Sequence, residues 1–214
     1  MRDYTQFKLD IHVHTTNSGD SCINLETIPE ILDKKGLDGL AITDHDKITK
    51  YDIKEKIVLQ GSEISTINGH LIALNIKKNI NNGMSMRRTI NEVHYQGGVA
   101  IIAHPYSFPQ NCNLKNLDIR PDGIEVLNAR VMFCNISTLL SKRMAIKLSV
   151  PMTGGSDSHI PDTIGDSYTI VEAKSDSIDD IIDAFRMGRI TFSGNCSSLR
   201  KRIKSRIYSI TKKL

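Results

Sequence analysis

No apolar run in this sequence is long enough to span a bilayer. The opening residues, MRDYTQFKLD, lack the apolar core of a signal peptide. Cysteine is sparse: Cys22, Cys112, Cys134 and Cys196 lie far apart, without the paired spacing of a zinc site. That pattern favours reduced thiols over a disulfide frame and implies a cytoplasmic protein. There is no internal repeat, no low-complexity tract and no G-x-S-x-G elbow, so Ser156 and Ser158 are not read as nucleophiles. Acid is absent from residues 199–214, which hold seven Lys or Arg. The formal net charge of +4 therefore belongs to this stretch, because the remainder carries 21 basic against 24 acidic residues. A carboxylate-rich body is better suited to holding cations than to wrapping nucleic acid unaided.

What remains is an ordinary globular composition. At 214 residues, with 39% hydrophobic and 24% charged residues, one domain with a sizeable core is expected. Residues 7–13 read as a strand followed by polar turn residues, so His12 and His14 share a face. Further strands are predicted over 38–43, 57–64, 70–76, 99–103, 123–127, 152–156 and 168–172. Helices are predicted over 25–35, 84–96, 135–148 and 177–188. This alternation predicts an α/β layer or barrel with mostly parallel strands. His12, His14, Asp44, His45, Glu63, His104, Glu125, Asp157 and His159 all fall where strands give way to loops. In parallel α/β folds that edge is where sites are built.

A lone His-x-His is weak evidence. Six of the seven histidines, however, stand at strand ends among Asp, Glu and Gly; His94 lies inside a helix and is read as structural. An excess of imidazole and carboxylate without cysteine favours two or three divalent ions with open coordination positions over one closed zinc site. Mixed donors of this kind accept Mn, Zn or Fe.

The motifs make this specific. DIHVH at 10–14, KGLDGLAITDHD at 35–46, GSEIS at 61–65, GHLIALNI at 69–76, AIIAHP at 100–105, GIEVLNAR at 123–130 and GGSDSH at 154–159 together resemble the PHP (polymerase and histidinol phosphatase) family of metal-dependent phosphoesterases. The resemblance implies a distorted, seven-stranded (β/α)7 TIM-like barrel with two or three ions at its carboxyl-end face. It implies metal ligation by His12, His14, Glu63 and Asp157, by Glu63 with His70 and His104, and by Asp20, His45 and His159. Ser18-Gly19-Asp20 departs from the Ser-Asp-Gly of many relatives, displacing that acid by one residue.

Asp44 and Glu125 are read as carboxylates that orient ligands, against a turn cap and a buried salt bridge respectively. Asp46 is read as a helix cap or surface acid. Arg130 is a candidate for a substrate phosphate, against an exposed loop arginine. The expected function is hydrolysis of a phosphate ester by metal-activated hydroxide, with Glu63, Asp157 and His159 at the reacting centre. The motif variant resembles the stand-alone enzymes acting on nucleotides or short 5′-phosphorylated oligonucleotides. The alternatives are a small-metabolite phosphomonoesterase and a non-catalytic PHP accessory domain.

The domain is expected to occupy residues 1–198, and 199–214 to form a basic amphipathic tail. In the tail, Leu199, Ile203, Ile207, Ile210 and Leu214 recur at helical spacing. An anionic membrane, a nucleic-acid backbone and packing on the body all remain open as its partner. Deleting residues 199–214 is expected to spare chemistry on a small substrate.

Overall fold

The computed structural model describes residues 4–108, 111–113 and 119–212. Nine strands among them form one sheet: β1 (Thr5–Val13), β2 (Gly39–Ile42), β3 (Ile57–Thr66), β4 (Gly69–Leu74), β5 (Val99–Ile102), β6 (Gly123–Asn128), β7 (Met152–Gly155), β8 (Ser167–Ala173) and β9 (Ile190–Gly194). Their order is β7-β6-β5-β4-β3-β2-β1-β8-β9. The sheet curls into a nearly closed barrel, and Gly154 N in β7 donates to Thr169 Oγ1 in β8 across the closure. The α/β barrel expected from the sequence is therefore present.

Two details of the expectation need correction. Pairing is mixed, not mostly parallel: β3–β4, β4–β5, β1–β8 and β8–β9 are antiparallel. In addition, β9 escaped prediction, because ITFSG is only partly buried and shows no clean alternation. The antiparallel β4 has a consequence for the site: its amino end lies at the same rim as the carboxyl ends of its neighbours, and His70 is the second residue of that strand.

The barrel interior changes character along its length. At one end it is apolar, built from Leu9, Ile11, Leu59, Ile72, Val99 and Ile101. There α4 (Ile178–Arg186) inserts Ile181 and Phe185, and Arg186 bonds to the Gly97 carbonyl near the start of β5. Toward the opposite rim the same interior face carries polar groups. On the outer face, Ile28 and Leu32 of α1 (Ile28–Lys35) cover β1 and β2. Met86, Ile90 and Val93 of α2 (Met86–Tyr95) and Ala145 of α3 (Cys134–Leu148) cover β4 to β6.

Regular alternation from Leu9 and Ile11 would put His12 on the outer face. The register of β1 on β2 shifts between Asp10 and Val13, and this bulge swings His12 inward while Val13 joins the outer cluster. Asp10, fully buried, braces the irregularity by accepting from His12 N, Ser156 N and Gly165 N. Burial nonetheless pushes its carboxyl up to about 6.

Cys134 and Cys196 form a disulfide, correcting the expectation of four reduced thiols; Cys22 and Cys112 are free. Sequence separation hid the pair, because only the folded chain places the start of α3 against the segment after β9. Among the described residues, no helix is long and apolar enough to cross a membrane.

Residues 199–212 form α5 (Leu199–Lys212), which lies against the barrel rim. Its helical periodicity was legible, but the face it buries is not the apolar one. Ser205 and Ser209 are buried, whereas Leu199, Ile203, Ile207 and Ile210 are exposed. Ile203 and Ser205 are two residues apart, so Leu199, Ile203 and Ile207 point away from the body, while Ile210 borders the cavity at the rim. Leu214, the last residue of the expected stripe, lies outside the described residues.

Candidate metal centre

Glu63 stands at the centre of the rim, almost fully buried. Its Oε2 lies 3.4 Å from His12 Nε2, 3.3 Å from His14 Nε2 and 3.1 Å from His45 Nδ1. Its Oε1 lies 2.9 Å from His70 Nδ1 and 2.8 Å from His104 Nε2. Asp157 Oδ1 approaches His12, His14 and His159 at 3.8, 3.5 and 3.4 Å. Asp20 Oδ2 is 3.4 Å from both His45 Nε2 and His159 Nε2. All nine residues expected as ligands thus converge, including the displaced Asp20. A short turn from Thr16 to Ser18 ends at Gly19, whose φ of 81° reverses the chain and returns Asp20 to the cluster.

Several rings are steered from behind. His12 Nδ1 is 2.9 Å from Glu125 Oε1, His14 Nδ1 is 3.1 Å from Ser18 Oγ, and His159 Nδ1 is 3.0 Å from the Asp157 carbonyl. Each contact occupies Nδ1 and leaves Nε2 facing the carboxylates, the arrangement that fixes a ligand's tautomer and aim. Glu125 Oε2 also accepts from His104 N and Asn128 Nδ2. Gly155 makes room for this, since a Cβ there would lie 2.6 Å from Glu125 Oε1 and from His12 Cβ. Asp44 behaves otherwise than expected: it accepts from Thr15 N, Thr15 Oγ1 and Thr49 Oγ1 and touches no histidine, so it fixes the loop backbone after His14. Asp46 caps no helix; it accepts from Ser65 and Asn82. His94 pairs with Asp122 at 2.8 Å, away from the cluster.

Sequence reasoning missed Ser18, Asn128 and Asp10. Ser18 joins the cluster by accepting from His45 N as well as contacting His14. Asn128 Nδ2 spans Glu125 and Asp157. Its place inside the GIEVLNAR motif, at the end of β6, is the signal that could have suggested it.

The electrostatics follow from crowding. Burial opposes the charge on Glu63, but His70, His12 and His45 outweigh it and hold the carboxyl well below its usual range. Asp157 is lowered in the same way, burial being overcome by His12 and Arg130. Burial likewise disfavours protonation of His45, yet Glu63 and Asp20 push it up to about 10. His159 goes the other way, to about 4, because burial is reinforced by His14 and Arg130.

The donor atoms fit divalent ions. Those of His14, Asp20, His45 and His159 lie within 4.8 Å of one another, as do those of His12, His14 and Asp157, and of His12, Glu63 and His104. His12 Nε2, His14 Nε2 and His159 Nε2 are buried without a hydrogen-bond partner. Such nitrogens are costly unless something binds them. The cluster opens into a cavity of about 520 Å³ that Arg130 also lines. Arg130 is half-buried, with Nη1 3.8 Å from Asp157 Oδ2.

Comparison with known proteins agrees with this geometry. The family model described as PHP-associated matches residues 135–190. The uncharacterised protein MJ1587 of Methanocaldococcus jannaschii is 38% identical over 141 residues, 57% of this chain and 82% of that protein. A two-domain Bacteroides vulgatus protein containing a predicted PHP-like metal-dependent phosphoesterase superposes with a TM-score of 0.70 at 20% identity, over 90% of this chain. The chain belongs to the PHP family. It spans 66% of the two-domain Bacteroides protein. PsfC from Pseudomonas syringae shares the fold more evenly, with a TM-score of 0.73 at 17% identity over 97% of this chain and 99% of PsfC. Endonuclease Q, solved with a duplex carrying an abasic lesion at its active site, gives a TM-score of 0.66 at 14% identity over 89% of this chain and 60% of its own.

Proposed function

We propose that this PHP protein is a hydrolase that cleaves a phosphate ester of a nucleotide or short 5′-phosphorylated oligonucleotide. The observation that carries the reading is the convergence of six histidines with Glu63, Asp157 and Asp20 at one barrel rim, beside Arg130 and a cavity open to solvent. His12, His14, Glu63 and Asp157 would hold one ion, Glu63 with His70 and His104 a second, and Asp20, His45 and His159 a third. Mn, Zn and Fe all suit these donors. Bound there, divalent ions supply an acidified water and positive charge for the phosphoryl oxygens.

The chain's own residues do the rest. Glu63 and Asp157 concentrate negative charge where cations gather, and Glu125 keeps His12 aimed. Arg130 takes non-bridging oxygens through its planar fork. His45 is held protonated by its carboxylate neighbours and is suited to pass a proton to the leaving oxygen, although ligation competes with that role. The nucleotide preference draws support from the likeness to endonuclease Q, whose structure holds a DNA duplex.

Elemental analysis of the native protein, with a phosphate-release screen over mononucleotides, bisphosphates, 5′-phosphorylated oligonucleotides and histidinol phosphate, tests the reading. Bound transition metal with turnover of the nucleotide substrates is expected. Turnover of histidinol phosphate alone would replace it with a metabolite phosphatase, and native protein with neither metal nor turnover would defeat it.

A further inference from the structure

Helix α5 touches the site through two serines one turn apart. Arg130 Nε donates to Ser205 Oγ at 3.1 Å, and Arg130 Nη2 donates to Ser209 Oγ at 3.0 Å. Ser209 Oγ in turn donates to the carbonyl of Asp20 at 3.0 Å. One helix face therefore holds both the arginine beside Asp157 and the backbone of a residue in the histidine cluster.

Three basic residues of α5 are tied to the body. Lys201 is paired with Asp166, Lys204 with Asp162, and Arg202 with the carbonyls of Val131 and Met132. These cations fasten the helix. Arg206 does not: among the described residues it makes no ion pair or hydrogen bond, yet it lines the central cavity. It also lines a smaller recess of about 50 Å³ shared with Ser107, Arg130 and Asp157. Two guanidinium groups border this one recess, only Arg130 is paired with the Asp157 carboxylate, and the planar fork of each matches phosphate oxygens.

We propose that α5 is a wall of the active site and that Arg206 is a substrate-binding residue, gripping phosphoryl oxygens together with Arg130. Ser205 and Ser209 are positioning residues that set the direction of the Arg130 fork. This rests on the phosphoesterase reading above, and it reverses the expectation that deleting residues 199–214 spares chemistry on a small substrate.

The test is calorimetric titration of inorganic phosphate into the full-length, Mn-loaded protein, comparing wild type with Arg206→Gln, Arg206→Lys and the control Arg200→Gln. Arg200 is exposed on the same helix and lines neither space. Arg206→Gln is expected to weaken phosphate binding by about tenfold, the scale of one charge-assisted hydrogen bond. Arg206→Lys should recover part of the loss, and Arg200→Gln should match wild type. The melting temperature of Arg206→Gln should stay unchanged, since among the described residues the side chain makes no ion pair or hydrogen bond. With a phosphate ester as substrate, KM should rise by a similar factor and kcat should move little. Equal phosphate affinity in wild type and Arg206→Gln would overturn the inference and leave the phosphoesterase reading standing. A wild-type protein that binds no phosphate would overturn both.

Discussion

At the scale of single residues, the histidine cluster depends on groups that never meet a substrate. Glu125 receives His12 Nδ1 and the backbone of His104, so Glu125→Gln should cost about 10- to 100-fold in metal affinity, as for other partners that orient ligands. Equilibrium dialysis against a chelator measures it; unchanged affinity would mean that the ring is fixed by packing alone. Gly155→Ala should produce the same defect, because the added methyl occupies the space through which Glu125 reaches His12. A different cost attaches to Asp10, whose carboxylate satisfies three backbone N–H groups at the β1 bulge. Asp10→Asn replaces one acceptor oxygen with a donor and should lower stability by about 1–3 kcal/mol, read as a shift in urea midpoint. A neutral substitution would show that the bulge needs no brace.

At the scale of elements, α5 carries the sharpest consequence. Removing residues 199–214 frees the Arg130 fork and strips Arg206 from the mouth, so kcat/KM on a small phosphate ester should fall by tenfold or more, the equivalent of roughly 1.4 kcal/mol. Metal content should be retained, because none of the nine clustered residues lies on α5. Full turnover by the truncated protein would return the helix to the role of a tail. The element scale is also where β4 matters. His70 enters the rim because β4 runs antiparallel to its neighbours, so a strand start faces the same way as its neighbours' ends.

For the whole molecule, two linkages bear on stability. The Cys134–Cys196 disulfide closes a span of 62 residues. In the chain-entropy account, a loop of that size contributes up to about 4 kcal/mol. Non-reducing peptide mapping should recover the cross-linked pair, and dithiothreitol should lower the melting temperature by several degrees. Identical melting with and without reductant would remove the bridge from any role in stability. The second linkage is to metal. Protonated histidines packed against carboxylates, His45 among them, must yield their protons before they can ligate. Uptake of Mn or Zn near neutral pH should therefore release protons, seen as a dependence of the binding enthalpy on buffer ionisation. It should also raise the melting temperature.

How much of this was legible beforehand follows from where the information resides. The α/β character came from hydrophobic periodicity, a local property, and so did most element positions. The nine clustered residues came from motifs whose side chains are chemically unambiguous. Local pattern carries no strand direction, however, so the antiparallel β4 and the short β9 needed the sheet itself. The sequence by itself determined that imidazoles and carboxylates would collect where strands meet loops, because residue type and the ends of hydrophobic runs are both local. Only tertiary structure decided which face α5 buries, which cysteines meet and which arginines border the cavity, since each depends on contacts between segments remote in the chain.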